Sequence, residues 1–299
     1  MEINQNKLLV ANRGEIAVRI IRAAKELGIR TVAVYSTADE NSLHVQLADE
    51  AVCVGTEKSV DSYLNMNNIL SAAVSTGCNA IHPGYGFLAE NDKFIELVEE
   101  LNLKFVGPSS EVVRKMGDKS EARKIAKSSN VPIVEGSDDI VTNVDEGIKI
   151  SNKIGYPVMI KAVSGGGGRG ISVVYSDEEF LNVFEKTSRE AEISFGNKAV
   201  YIEKFIANPR HIEVQILADK QGNFVQLYER DCSIQRRNQK MIEEAPSSEI
   251  DSVTRRKMGL AALRIARKVG YTNAGTIEFL LDEDNKFYFI EMNTRIQVE

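Results

Sequence analysis

The chain has 299 residues, 43% of them hydrophobic and 27% charged, and its 37 Lys and Arg against 43 Asp and Glu leave a net charge of −6. This composition excludes disordered, fibrous and disulfide-framework proteins, and the acidic total disfavours a nucleic-acid binder, which needs a cationic surface. No apolar run approaches the roughly 18 residues of a membrane helix, and the N-terminus lacks the features of a cleaved signal. Because its three widely spaced cysteines fit reduced thiols, we expect a cytoplasmic protein, or a large piece of one, that binds neither nucleic acid nor a membrane.

The first 115 residues alternate short apolar stretches with helical spacings. Strands are predicted at 7–11, 31–35, 51–54, 79–82 and 104–106, and helices at 16–27, 66–75 and 92–101. Such alternation is typical of a doubly wound parallel sheet, in which ligands bind beyond the carboxyl ends of the strands. The stretch 12–15 follows one strand and has one glycine where a dinucleotide fingerprint needs three, which disfavours a hydride-transfer enzyme.

After residue 117 the pattern changes to helices mixed with hairpins. Helices are predicted at 119–128, 177–192 and 253–269, and strands at 157–163, 171–175, 199–205, 212–217, 224–229, 276–281 and 287–292. Antiparallel hairpins that follow a parallel sheet indicate a second region of the α+β class.

A run of four glycines at 165–168, followed by Arg169 and Gly170, lies between two of these predicted strands. Consecutive glycines let backbone N–H groups surround phosphate oxygens without Cβ clashes, but the Gly-Lys-Ser/Thr of a P-loop does not follow. We interpret the run as a flap that closes over a nucleotide. The alternative is a solvent-exposed hairpin tip.

The C-terminal hairpin predicts a cation site. If its strands pair symmetrically about residues 284 and 285, Glu278 lies opposite Glu291. Period-2 alternation then places one polar set on a single face, namely Glu278, Glu291, Asn293, Arg295, Gln297 and Glu299. The core face would consist of Ile277, Phe279, Ile290 and Met292. Opposed carboxylates repel, and with an amide oxygen they suit Mg²⁺ bound together with nucleotide phosphates. The alternative is an exposed polar sheet face, and a bulge would shift the pairing by one residue.

A local excess of basic residues predicts an anion-binding site. Seven basic residues against four acidic ones lie between residues 204 and 240, which is unusual in an acidic protein. On the predicted strand, His211, Glu213 and Gln215 share a face, while the alternate residues fill the core. A merely solvated charged face is the alternative.

Together these motifs resemble the biotin carboxylase family, the ATP-grasp component of acetyl-CoA carboxylase and related biotin-dependent carboxylases. The matching stretches follow the whole chain in order and lie at 11–17, 82–91, 116–119, 164–170, 208–211, 229–233, 243–246 and 289–299. The resemblance implies an α/β fold. A doubly wound N-terminal domain would span 1–115, and an incomplete α+β ATP-grasp domain would span 116–299, with a glycine-rich lid subdomain at 132–204.

The resemblance implies carboxylation of biotin on a carrier protein, at the expense of ATP and bicarbonate, as the first half-reaction of acetyl-CoA carboxylase in fatty acid synthesis. It implies ATP, Mg²⁺ or Mn²⁺, and biotin as a carrier-bound substrate. The implied partners are biotin carboxyl carrier protein, a carboxyltransferase component and a second copy in a homodimer. Bicarbonate attacks the γ-phosphorus to give carboxyphosphate, whose phosphate leaves more easily than hydroxide, so the protein must neutralise phosphate charge and exclude water.

The resemblance assigns nucleotide contacts to several stretches. The triphosphate would be held by Lys119, Lys161, Gly167 and Gly168. The adenine would lie against Glu203, Lys204, Phe205 and Ile206. Further nucleotide contacts would come from His211 and Asn238. The family commonly has His at the last of these positions, and Asn can form hydrogen bonds there but cannot carry charge.

The resemblance places the reacting groups on the C-terminal hairpin and after it. The metal ligands would be Glu278, Glu291 and Asn293. Of these, Glu278 and Glu291 would contact the nucleotide as well. Bicarbonate would be held by Lys240, Arg295 and the backbone of Val298. Glu299 would be the base that deprotonates bicarbonate, and Arg295 would steady the carboxyphosphate and the biotin enolate.

The family continues beyond the position where this sequence ends, so we expect a shortened chain whose own activity is in question. No Met-Lys-Met attachment motif is present, and the carrier is therefore expected on another polypeptide or segment. Two other hypotheses stay open at this point. One is a different ATP-grasp ligase, such as carbamoyl-phosphate synthetase, and the other is an inactive nucleotide-binding module.

Overall fold

A computed structural model describes residues 6–137, 139–163, 170–237 and 239–299. The predictions for Gly167, Gly168 and Asn238 lie outside these residues. None of the helices in the described ranges has the length and apolar content that a bilayer crossing requires.

The N-terminal part of the chain forms a parallel sheet in the order β3-β2-β1-β4-β5. Its strands are β1 (Lys7–Val10), β2 (Arg30–Ser36), β3 (Glu50–Gly55), β4 (Ala80–His82) and β5 (Lys104–Phe105). The helices between them are α1 (Gly14–Glu26), α2 (Leu43–Leu47), α3 (Met66–Ser75) and α4 (Asp92–Glu100). The predicted doubly wound parallel sheet is confirmed, and only the short α2 was not predicted among these elements.

Both faces of this first sheet are covered by apolar side chains, as alternation along the strands requires. Leu8 and Val10 face α1, where Ile16 and Ile20 join them, while Leu9 faces the opposite side with α3 and α4. The predicted apolar spacing of α1 fails at Leu27, which is 75% exposed because the helix has ended at Glu26.

The middle of the chain adds four helices and a small antiparallel sheet. The helices are α5 (Ser110–Gly117), α6 (Lys119–Ser128), α7 (Val144–Ile154) and α8 (Asp177–Phe195). The sheet, in the order β7-β6-β8, consists of β6 (Val158–Ala162), β7 (Ile171–Val174) and β8 (Val200–Lys204). Apolar residues of β6 and β8 pack against Phe180 and Phe184 of α8. The sequence predicted α6, α8 and the three strands, but not α5 and α7.

The C-terminal part is a five-stranded antiparallel sheet in the order β11-β10-β9-β12-β13. Its strands are β9 (Arg210–Ala218), β10 (Phe224–Arg236), β11 (Gln239–Glu244), β12 (Asn273–Leu281) and β13 (Phe287–Asn293), and α9 (Ser252–Val269) packs on one face. The other face is polar. An α+β region after the parallel sheet is therefore confirmed, although β10 is longer than predicted and β11 was not predicted.

The hairpin of β12 and β13 pairs Glu278 with Glu291, as predicted, but by a different route. The turn pairs Leu281 with Phe287, and a bulge next to Glu278 then shifts the register by one residue. Because of the bulge, Phe289 packs in the core at 1% exposure, and the prediction that Ile290 does so is wrong.

Candidate active site

Four charged residues form one row across the polar face of the C-terminal five-stranded sheet. Arg230 on β10 pairs with Glu213 on β9, Glu213 pairs with Glu278 on β12, and Glu278 pairs with Glu291 on β13. Directly paired residues point to the same face, so three carboxylates and one guanidinium lie side by side. Glu213 is fully buried and Glu278 is 5% exposed, whereas Glu291 is exposed. The row therefore has a buried, positively charged end at Arg230 and an open, acidic end at Glu291.

Lys240 and His211 compensate the buried carboxylates. Lys240 Nζ contacts Glu213 and lies 3.1 Å from Glu278 Oε1 and 3.4 Å from Glu299 Oε1. His211 Nε2 lies 2.6 Å from Glu278 Oε2. Burial by itself would raise the pKa of Glu278, but these partners outweigh it and lower the pKa to about 2. Burial likewise opposes the charge on Lys240, yet the neighbouring carboxylates raise its pKa. Glu278 is therefore ionised at neutral pH.

The open end of the row fits a divalent cation. Although Glu291 as a whole residue is exposed, desolvation of its carboxyl group and then the charge of Glu278 raise its pKa, and the positive charge of Lys119 at the start of α6 opposes this. A cation between Glu278 and Glu291 would relieve that repulsion. Asn293 lies beside them, and its Nδ2 donates to Glu278 Oε1 at 2.6 Å. The three predicted metal ligands thus lie together.

A second arrangement that could hold a metal uses His211, Glu213 and Glu278, whose ligand atoms lie within 4.8 Å of one another. Both oxygens of Glu213 already accept hydrogen bonds from cations, one from Arg230 and one from Lys240. A divalent ion there would lie next to both Arg230 and Lys240, whereas an ion at the other end would lie next to Lys240 without Arg230 and would gain the carboxylate of Glu291. The Glu278–Glu291 end is therefore the better cation site.

The segment after β13 lies along this row and brings further predicted residues to it. Arg295 Nε donates to Glu90 Oε2 at 2.8 Å, and the backbone N–H of Thr294 donates to Glu90 Oε1 at 3.0 Å. Arg295 Nη2 also donates to Asn293 Oδ1 at 3.2 Å. Glu90 belongs to the stretch 82–91 after the carboxyl end of β4, where ligands of such sheets bind, but sequence reasoning gave it no role. Glu90 therefore links Arg295 to the loop that follows β4.

The other proposed nucleotide residues lie around the small sheet. Lys161 on β6 contacts Glu203 on β8, and Arg123 Nη1 donates to Glu203 Oε1 at 2.6 Å. Lys204 Nζ donates to the carbonyls of Gly155 and residue 156 at 2.9 and 3.1 Å. Sequence reasoning missed Arg123, which lies in the predicted helix 119–128 but carries no motif. The backbone continues through Phe205, whose N–H donates to the carbonyl of residue 157 at 3.1 Å, to the half-buried Ile206.

These features define the class of protein. Residues 118–299 match the family model described as carbamoyl-phosphate synthase L chain, ATP binding domain, which places the chain among the ATP-grasp proteins. Residues 4–113 match the model described as biotin carboxylase, N-terminal domain. The chain belongs to the biotin carboxylase family.

Similar proteins support this membership over nearly the whole chain. Biotin carboxylase 1 of Bacillus subtilis is 60% identical, and the match covers 98% of this chain and 65% of that protein. The propionyl-CoA carboxylase alpha chain of Ruegeria pomeroyi is 52% identical, and the match covers 98% of this chain and 43% of that protein. The biotin carboxylase domain dimer of Hydrogenobacter thermophilus 2-oxoglutarate carboxylase, solved with MgADP, ADP and bicarbonate, is 50% identical with a TM-score of 0.90, covering 98% of this chain and 65% of that one. The chain thus spans less than two thirds of the length of these relatives.

Proposed function

We propose that the protein containing this chain carboxylates biotin on a carrier protein, with ATP and bicarbonate as co-substrates. The observation that carries the proposal is the meeting of two sites at Lys240. On one side of it lies the carboxylate row that fits a divalent cation, and on the other side lies the segment of Arg295 and Glu299. A cation site next to an anion site is what the joining of a nucleotide to bicarbonate requires.

The residues of the chain then act as follows. Glu299 takes the proton of bicarbonate, and a bicarbonate oxygen attacks the γ-phosphorus of ATP, so that an O–P bond forms and the bond to ADP breaks. Lys240 and Arg295 balance the negative charge of bicarbonate and of the carboxyphosphate product. The backbone N–H of the exposed Val298 donates to the same anion. The bond between the carboxyl carbon and the phosphate oxygen then breaks, the released phosphate takes the proton of the ureido N–H of biotin, and the carboxyl carbon bonds to that nitrogen, with Arg295 beside the developing enolate.

The nucleotide and the metal are assigned to the residues that the resemblance indicated. Lys119 and Lys161 hold phosphates, the stretch 203–206 borders the adenine, and His211 contacts the nucleotide. Gly167, Gly168 and Asn238 complete this proposal from outside the described residues. A divalent ion held by Glu278, Glu291 and Asn293 supplies charge neutralisation at the triphosphate when bound.

We propose the same division of the chain, with an N-terminal domain at 1–115 and an ATP-grasp domain at 116–299 that includes a lid at 132–204. The five parallel strands end at Phe105, which supports the boundary near 115, and the small sheet ends at Lys204, which supports the end of the lid.

We further propose that the reaction is the first half of acetyl-CoA carboxylation in fatty acid synthesis, performed in the cytoplasm by a homodimer with a biotin carboxyl carrier protein and a carboxyltransferase component. The acetyl-CoA acceptor is what the resemblance implies, and the higher identity to the Bacillus biotin carboxylase than to the Ruegeria propionyl-CoA carboxylase disfavours propionyl-CoA only. Supplying purified carrier and carboxyltransferase with acetyl-CoA, propionyl-CoA or pyruvate, and measuring the carboxylated product, tests the acceptor.

The central test is ATP hydrolysis by the protein as its own gene encodes it. We expect hydrolysis that depends on bicarbonate and increases with free biotin. Stimulation by ammonia in place of biotin would support a carbamoyl-phosphate synthetase-like ligase. Calorimetric binding of ATP without bicarbonate-dependent turnover would support a nucleotide-binding module.

A further inference from the structure

Arg230 connects three strands to the segment that follows β13. Its Nε donates to Glu213 Oε1, its Nη1 donates to Gln215 Oε1 at 3.0 Å, and its Nη2 donates to Thr276 Oγ1 at 3.2 Å and to Gln297 Oε1 at 2.6 Å. The Arg230 side chain is 14% exposed, and all four acceptor residues are buried or half-buried. A buried guanidinium with four hydrogen bonds has one orientation, because the planar fork cannot turn without breaking several of them.

The contact to Gln297 differs from the other three because Gln297 belongs to no strand. The sheet fixes Glu213, Gln215 and Thr276, and these three hold the guanidinium in place. Its remaining contact then fixes the side chain of Gln297, which is 8% exposed. The hydrogen bond links positions 67 residues apart in sequence.

Two other anchors hold the same segment from the opposite direction. Glu90 binds Thr294 and Arg295, and Ile296 packs against the apolar cluster of α1 and β1. Beyond Gln297, Glu299 Oε1 lies 3.4 Å from Lys240 Nζ. Gln297 is therefore the residue through which Arg230 holds the segment, directly before the two residues that our proposed function places at bicarbonate.

We propose that Arg230 is a positioning residue for bicarbonate. Through Gln297 it sets where the backbone N–H of Val298 and the carboxylate of Glu299 lie relative to Lys240. Arg230 does not touch bicarbonate in this scheme. The inference rests on the proposed function for the identity of the anion, but the linkage from Arg230 to the segment 297–299 can be measured without it.

A lysine at position 230 would keep the charge next to Glu213 but would lose the fork that reaches Gln297. Arg255 offers a matched control. Its Nε donates to the buried Glu229 at 2.8 and 3.0 Å, and its Nη2 donates to the carbonyl of Ser247 at 3.2 Å. Glu229 neighbours Arg230 on β10, so its side chain points away from the polar face. Arg255→Lys therefore removes a comparable buried fork without touching the segment.

The first experiment compares the steady-state kinetics of bicarbonate-dependent ATP hydrolysis in the protein as its gene encodes it. For Arg230→Lys we expect the KM for bicarbonate to rise about tenfold or more, since a hydrogen bond from a charged donor is lost. The KM for ATP should stay within about twofold, because none of residues 297–299 is assigned to the nucleotide. For Arg255→Lys both constants should stay within about twofold. Equal KM values for bicarbonate in the two variants would overturn the proposal.

Two further measurements separate positioning from general damage. Gln297→Ala should raise the KM for bicarbonate, and the double variant Arg230→Lys/Gln297→Ala should raise it no further than the larger single effect, because both changes break one linkage. If the double variant instead raised the KM for bicarbonate by the product of the two single effects, the proposal would be overturned. Hydrogen exchange of the amides of 297–299 should be faster in Arg230→Lys than in wild type or Arg255→Lys.

The hydrogen-exchange measurement also distinguishes a failure of the proposed function from a failure of the role proposed for Arg230. Wild-type protein that lacks bicarbonate-dependent hydrolysis would refute the proposed function and leave exchange to decide the role of Arg230. Faster exchange in Arg230→Lys alone would then support the linkage, and unchanged exchange would refute it.

Discussion

Replacing Lys240 with Met should destabilise the protein strongly, because it removes the cation shared by three carboxylates. At an effective dielectric constant of about 20, the attraction to Glu278 at 3.1 Å and to Glu299 at 3.4 Å amounts to about 5 kcal/mol each. Most of this offsets the cost of burying the ammonium group, whose side chain is 19% exposed. Breaking such a buried pair leaves a net loss of about 3 kcal/mol.

We expect this loss to lower Tm by about 5 °C in a chain of 299 residues. The measurement is thermal unfolding at pH 7 without nucleotide and with a chelator. Lys286→Met is the matched control, because Lys286 forms an ion pair with Asp284 in which both side chains are mostly exposed. Its loss should leave Tm nearly unchanged.

A second substitution tests whether repulsion is the cause. Adding Glu278→Gln to Lys240→Met removes one of the carboxylates that no longer has its cation, and the double variant should regain about 1 kcal/mol relative to Lys240→Met alone. A wild-type Tm for Lys240→Met, or fully additive losses in the double variant, would refute the reasoning.

Two other substitutions test contacts outside the row. Glu90→Gln should lower bicarbonate-dependent ATP turnover about tenfold by freeing Arg295, with Tm nearly unchanged, whereas Glu96→Gln on the exposed side of α4 should leave both unchanged. Burial raises the pKa of Asp39, but hydrogen bonds led by Arg13 lower it to about 2. This folded-state pKa lies below the unfolded value of 3.8, so ionised Asp39 stabilises the protein above pH 4. The contribution is about 1 to 2 kcal/mol after allowance for the half-exposed Arg13. The stabilisation is lost as the pH falls towards 2. Urea unfolding at several pH values should show this loss in wild type but not in Asp39→Asn, and equal pH dependence would contradict the assignment.

Local patterns predicted the elements that hold the site. Period-2 alternation placed Glu278 and Glu291 on one face, and the pairing was confirmed only because two deviations cancel. The turn is offset by one residue from the predicted symmetric form, and the bulge restores the register at Glu278. A bulge depends on the whole ladder, so sequence alternation alone could not place it.

The missed elements have identifiable causes. In α7, Gly147 weakens the helical signal, but a Cβ at this position would lie 2.6 Å from the Phe180 ring, so the packing against α8 requires glycine. The edge strand β11 is largely exposed and has no apolar alternation to reveal it.

The contacts that organise the site also lie beyond local pattern. Glu90 and Arg295 are 205 residues apart, and Arg230 and Gln297 are 67 apart. Each residue stands in a recognisable stretch, but no spacing rule joins two such stretches. The fold brings them together, and for that reason the contacts of Arg295 with Glu90 and of Gln297 with Arg230 could be found only from the structure.

The most direct test of the account is a crystal structure of the protein with ADP and Mn²⁺, in which anomalous scattering locates the ion. We expect a peak within coordination distance of a carboxylate oxygen of both Glu278 and Glu291. A peak at His211, Glu213 and Glu278 that excludes Glu291, or an ion bound away from this row, would contradict the account.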